Sequence, residues 1–263
     1  MALPAPSTDG TVLITGASSG LGAEFARQLA ARGHGVTLVA RREARLRELA
    51  DELTAMHGVR AEPLACDLID EQARAELPAR VAELGLRVDM LVSNAGFATG
   101  GPFHETDLTQ EIEQIRILCE AQVVLTGLFY PEMVRRRSGT VIIVGSTAGF
   151  MPLPNSAGYG AAKAHAVSFA EALSAEARRF DVTVTCLCPG PVRTEMFEKH
   201  DHPVERLPSP LWKNEPDVVR AALDGAERGK RVVVPGALIR AGSPLTRFAP
   251  RFLELPIVER IFR

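Results

Sequence analysis

Short runs of valine, isoleucine and leucine alternate along this chain with stretches whose apolar residues return every three or four positions. TVLIT at 11–15 reads as a strand, and the returns after it predict a helix from about Gly20 to Arg32. GVTLVA at 35–40 predicts the next strand, followed by a charged helix reaching Met56. AEPLAC (61–66), VDMLVS (88–93), GTVIIVG (139–145), VTVTCLC (182–188) and RVVVP (231–235) bring the strands to seven. Their apolar residues show little alternation, as expected of strands covered on both faces. Strand and helix taking turns at this rhythm predict an α/β fold, a doubly wound parallel sheet with helices on both faces. No repeat or linker interrupts the pattern, so residues 1–263 are expected to form one domain. Proline is dense from Pro189 to Pro216, which predicts a long loop at about 190–215 beside the site. EQIRILCEAQVVLTG (113–127) reads as a long, partly buried helix with Ile115, Leu118, Val123 and Leu125 as its apolar returns.

Composition narrows the function classes. The chain is 46% hydrophobic and 24% charged with a net charge of −2, so it offers no basic footprint for nucleic acid. A core of this length needs no disulfide or metal. Cys66, Cys119, Cys186 and Cys188 lie in apolar stretches without CxxC or zinc spacing, and are expected to be free core thiols of a reducing compartment. The opening MALPAPSTDG has no apolar leader core, which points to a cytoplasmic protein. No run of about 18 apolar residues is evident, so no membrane span is expected.

Candidate chemistry begins at TGASSGLG (15–22), which closes the first strand and opens the first helix. Gly16, Gly20 and Gly22, with Ser18, Ser19 and Leu21 between them, allow a tight turn, close approach of backbone N–H groups, and phosphate binding at the helix N-terminus. The spacing is GxxxGxG rather than the general GxGxxG, and a plain strand–helix turn is the alternative. Sites that select NAD place an acid at the end of the second strand to bind the ribose hydroxyl. Here Arg41 and Arg42 stand there, and an arginine fork can grip a 2′-phosphate. NADP(H) is therefore expected over NAD, although a solvated helix start would explain Arg42 and, less well, Arg41.

YGAAK places Tyr159 and Lys163 four residues apart on one helix face, and Ser146 follows the fifth strand. A phenol is normally too weak an acid at neutral pH, and a nearby ammonium is expected to lower its pKa. Tyr159 could then exchange a proton with a carbonyl or alcohol oxygen, with Ser146 hydrogen-bonding the same oxygen and Lys163 tuning the phenol. Taken singly, a Tyr–Lys pair also suits surface packing, and a serine after a strand also suits a helix cap.

Together with CDL (66–68), SNAG (93–96) and PGPVRT (189–194), these motifs resemble the short-chain dehydrogenase/reductase family over essentially the whole chain. The resemblance implies a Rossmann-like, seven-stranded single domain that transfers hydride between a nicotinamide cofactor and a carbonyl or alcohol. It implies that Asp67 and Leu68 flank the adenine, and that Asn94, Ala95 and Gly96 line the adenosine ribose and central sheet. Pro189, Gly190, Val192 and Thr194 would contact the nicotinamide end, while Lys163 would also hold ribose hydroxyls. A homodimer or homotetramer is implied, through the helices containing Leu118 and Tyr159. Ser93 replaces the first asparagine of the usual NNAG, and Gly145 stands where many members carry a second serine.

The main departure is Leu118, which aligns with an asparagine that in relatives bends the helix and supports a water linking the lysine to solvent. Leucine has no donor or acceptor for that task. Gln122 lies on the same face but further along. The implied consequence is a slower enzyme, and the competing reading is a cofactor-binding sensor or scaffold with vestigial chemistry. His200 and His202 form an H-x-H pair without a third ligand and read as a solvated loop. The tail from about 237 to 263 mixes apolar residues with five arginines and two glutamates. It could lie on a membrane, close an apolar pocket or pack on a subunit. Pro244, Pro250 and Pro256 are expected to break it, which favours packing. It hints at a hydrophobic substrate.

Overall fold

The computed structural model describes residues 3–193, 211–248 and 251–262. Seven strands form one parallel sheet in the order β3-β2-β1-β4-β5-β6-β7. They are β1 (Gly10–Thr15), β2 (Val36–Ala40), β3 (Ala61–Ala65), β4 (Arg87–Ser93), β5 (Gly139–Val144), β6 (Val182–Leu187) and the short β7 (Val232–Val233). Alternate residues of each central strand feed opposite layers. Val12 and Ile14 of β1 join Met90 and Val92 of β4 in one core. Leu13 and Leu91 point to the other. Each pleat surface therefore needs an apolar side chain, which is why the strands read as continuous apolar runs.

Helices α1 (Gly20–Ala31), α2 (Glu43–His57) and α7 (Glu215–Glu227) cover the first core. Helices α3 (Glu71–Glu83), α5 (Ala121–Arg136) and α6 (Ala157–Ala177) cover the second. The strand order reverses between β1 and β4, and an open α/β sheet has its crevice at such a reversal, beyond the carboxyl ends of the strands.

The long helical segment departs from the sequence reading. It is built from α4 (Leu108–Ile115), a π turn (Arg116–Glu120) and α5. Asp107 caps its start by accepting the Thr109 N–H at 2.8 Å. The four apolar returns do not share a face. Leu118 and Leu125 are buried, whereas Ile115 is 43% and Val123 41% exposed. A π turn carries more residues per turn than an α-helix, so a constant 3.6-residue period loses register across it. The segment Leu108–Arg136 also has the length and composition of a membrane-crossing helix, with a mean hydropathy of 1.3 in its most apolar window, a test that a core helix also passes. Leu118, Ala121, Leu125 and Phe129 of this segment pack into the protein, whereas Leu108, Ile112, Ile115, Val123 and Leu128 stay exposed. The tail forms two helices, α8 (Ala237–Phe248) and α9 (Arg251–Phe262), and Pro244 and Pro256 fall inside them rather than ending them.

Candidate active site

Six strand ends deliver the candidate residues to one cavity of about 340 Å³. Gly16 to Leu21 follow β1, Arg41 and Arg42 follow β2, and Asp67 and Leu68 follow β3. Asn94, Ala95 and Gly96 follow β4, Ser146 follows β5, and Pro189 and Gly190 follow β6. Tyr159, Lys163 and Val192 complete this part of the lining. Gly22 lies outside it, a turn into α1, where an added Cβ would sit 2.2 Å from the Gly16 carbonyl oxygen. Gly16 has φ +67°, and its Cα packs so closely on Ala95 that a Cβ would stand 2.9 Å from the Ala95 Cα. Thr194, His200 and His202 lie outside the described residues.

Thr15 stitches the crevice. Its buried hydroxyl accepts the N–H groups of Asn94 and Ala95 at 2.9 and 3.0 Å and donates to the Val92 carbonyl at 3.3 Å. The Asn94 amide donates in turn to the Thr15 carbonyl at 2.9 Å. The two arginines divide their work. Arg42 donates to Ser18 Oγ at 3.1 Å and Ser19 Oγ at 2.7 Å, bracing the glycine turn. Arg41 is exposed at the cavity edge. Asp67 accepts the Ile69 N–H at 3.0 Å, which sets the turn after β3.

Ser146 begins a 3₁₀ turn (Thr147–Phe150), and its Oγ accepts the Ala148 N–H at 3.1 Å. That turn is joined to the loop after β6, because the Thr147 N–H donates to the Pro189 carbonyl at 3.0 Å. Gly145 has a packing reason to lack a side chain. A Cβ there would stand 3.0 Å from Cys186 Sγ and 3.3 Å from Cys188 Sγ. All four cysteines are free, but Cys119 is only partly covered.

Tyr159 lies in the first turn of α6 and Lys163 one turn later. The Lys163 ammonium is 5.7 Å from the Tyr159 ring centre and donates to the Val144 carbonyl at 2.8 Å. Lys163 does not lower the Tyr159 pKa as the sequence reading expects. Burial of the hydroxyl end pushes that pKa up, opposed by a hydrogen bond from Ser146. Burial also holds Lys163 down to about 8, with the thiols of Cys186, Cys188 and Cys119 pulling weakly the other way. Desolvation is the largest influence on both groups.

Leu118 is 3% exposed within the π turn. A Cβ on Gly96 would stand 2.4 Å from Leu118 Cδ2, so the leucine fills the space behind that cavity wall. Gln122 is buried but does not line the cavity. Residues the motif reading passed over include Ile117 and Ile69 in the lining. They carry no chemistry that a motif would mark.

Comparison with known proteins agrees with this arrangement. A family model described as short chain dehydrogenase matches residues 10–205. A very-long-chain 3-oxoacyl-CoA reductase of Phaeosphaeria nodorum is 31% identical over 260 residues, covering 95% of this chain and 74% of its own. A short chain dehydrogenase of Pseudocercospora fijiensis is 37% identical over 196 residues, covering 73% of this chain and 62% of that protein. This chain thus spans less than two thirds of that relative's length. The solved structure of a short-chain dehydrogenase from Sphingobium yanoikuyae in complex with NADPH is similar, with a TM-score of 0.82 and 32% identity, covering 95% of this chain and 93% of the other. With the motifs, the seven-stranded topology and these relatives in agreement, the chain belongs to the short-chain dehydrogenase family.

Proposed function

We propose that this protein is an NADP(H)-dependent oxidoreductase that interconverts a carbonyl and an alcohol. The observation that carries the reading is the convergence of Ser146, Tyr159 and Lys163 on the same cavity as the glycine turn. The residues suit a dinucleotide. The cavity floor is glycine where a Cβ would collide with backbone, the α1 N-terminus faces it, and two arginines stand where a 2′-phosphate would lie. The NADPH complex of the Sphingobium relative supports the same choice of cofactor.

When bound, the nicotinamide supplies or accepts the hydride. In the reducing direction Tyr159 gives its phenolic proton to the substrate oxygen, and its raised pKa keeps that proton in place until charge develops there. Ser146 orients the same oxygen. Lys163, fixed on the Val144 carbonyl, holds a positive charge beside the phenol and would hold ribose hydroxyls of the cofactor. Leu118 takes the place of the family's relay asparagine and makes the proton supply behind Lys163 slower. Cytoplasmic residence is part of the same reading. So is a homodimer or homotetramer, supported by the exposed Leu108, Ile112, Ile115, Val123 and Leu128 along the long helix.

Tyr159→Phe tests the proposal. Turnover of a carbonyl panel with NADPH should fall by at least about 10²-fold, while the NADPH Kd stays within roughly threefold. Binding of NADPH by the native chain with no turnover of any carbonyl would instead favour a sensor or scaffold, the reading that Leu118 alone supports.

A further inference from the structure

A buried polar chain lies just outside the catalytic residues. Glu111, Gln114 and Thr99 are 5%, 0% and 7% exposed. Gln114 holds Thr99 twice. Its Oε1 accepts the Thr99 N–H at 3.0 Å, and its Nε2 donates to Thr99 Oγ1 at 2.8 Å. Thr99 Oγ1 then donates to Glu111 Oε1 at 2.5 Å. The donor direction is consistent from end to end, amide to hydroxyl to carboxylate, so no member is left frustrated. No ion pair to Glu111 occurs among the described residues.

Both ends of this chain touch the walls of the site. Thr99 directly follows Phe97 and Ala98, which line the cavity. The Thr99 carbonyl accepts from Ser156 Oγ at 3.4 Å, and the Gly101 N–H donates to the Asn155 carbonyl at 2.8 Å. At the other end, Glu111 Oε2 lies against Gly158, where an added Cβ would stand 2.2 Å from that oxygen and 3.2 Å from Gln114 Nε2. Gly158 immediately precedes Tyr159. One helix, α4, thereby fixes the loop after β4 and the turn that presents the phenol.

We propose that the Glu111–Thr99–Gln114 chain is a positioning element that sets the gap between the Phe97–Ala98 wall and Tyr159, and so decides how bulky a carbonyl the site accepts. This rests on the oxidoreductase reading. A buried, doubly anchored threonine cannot shift in small steps, because moving it leaves polar groups without partners. Loosening it widens the gap, and a wider gap admits bulky carbonyls relatively better than compact ones.

The test uses the full chain. The ratio of kcat/KM for a bulky diaryl ketone to that for a compact aliphatic ketone is measured in the native protein, Thr99→Val, Glu111→Ala and Glu111→Gln, with the NADPH Kd and Tm of each. Amide hydrogen exchange is followed over 97–103 and 153–160 with NADPH present. Thr99→Val and Glu111→Ala should raise the ratio at least fivefold and speed exchange in both segments about tenfold, with the NADPH Kd unchanged. Glu111→Gln keeps the acceptor oxygen and should restore both readouts. Gly158→Ala should act like Glu111→Ala, and combining the two should add little. A lowered Tm with an unchanged ratio would make the chain a plain core network and overturn the proposal. Unchanged exchange in both segments would overturn it even in an active enzyme. A protein that turns over neither ketone would defeat the oxidoreductase reading, while the exchange result would still decide whether the clamp exists.

Discussion

Exchanging Leu118 for asparagine sets stability against activity in one substitution. Leu118 is 3% exposed, and its Cδ2 packs behind the Gly96 wall. Losing that apolar burial costs about 1.5–3 kcal/mol. The incoming amide adds a desolvation cost of about 1–3 kcal/mol, offset wherever it finds a backbone partner in the π turn. The net expectation is a loss of about 2–4 kcal/mol, which for a domain near this size lowers Tm by roughly 4–16 °C. On the proposed reading, the asparagine would supply the polar group that Leu118 lacks. Positioned acid–base catalysis contributes about 10²- to 10⁴-fold in all, and recovering part of it should raise kcat by roughly 3- to 30-fold. Thermal unfolding and steady-state NADPH oxidation at a temperature where both proteins are folded give the two numbers. A native chain as fast as the variant would refute the relay argument, because the proton would then leave by a route independent of this position. An unchanged Tm would refute the packing argument.

Other consequences follow from the same geometry. Arg41→Ala should weaken NADPH binding by about 10- to 100-fold and leave NADH nearly unchanged, since a charge-assisted contact is worth about 1.5–3 kcal/mol. Equal effects on both cofactors in a titration would sink the assignment of Arg41 to a 2′-phosphate. Arg42→Ala should weaken both, because it removes the brace on Ser18 and Ser19. Lys163 has a folded pKa of about 8 against 10.5 in the unfolded chain. Between those values the unfolded chain holds the proton more tightly, so this group's contribution to stability rises as pH climbs from 8 to 10.5. Denaturant unfolding should therefore show the native chain gaining about 2–3 kcal/mol over Lys163→Met across that window, and a flat difference would contradict the buried ammonium. Thr15→Val leaves the N–H groups of Asn94 and Ala95 without their acceptor, and should cost about 2–4 kcal/mol in the same assay.

The sequence by itself determined the sheet and named the residues that its strand ends bring to one cavity. Strands covered on both faces are apolar at most positions, so VLIT, TLVA and TVIIV mark themselves despite the buried Thr15, Thr37 and Thr140, and the strand ends then place Gly16, Arg41, Asp67, Asn94 and Ser146 on one rim. Only the tertiary structure decided matters that depend on what surrounds a residue. The π turn separates Leu118 from Ile115 and Val123, because one irregular turn changes which face each presents. Arg42 braces the glycine turn while Arg41 stays at the edge, a division that two adjacent arginines cannot announce in a string. The Tyr159 pKa moves up rather than down, since desolvation depends on the full enclosure and not on a lysine four residues away. Glu111 belongs to no motif, yet folding buries it against Thr99 and Gly158. Local pattern reports what a residue can do, and packing decides which neighbours it does it with.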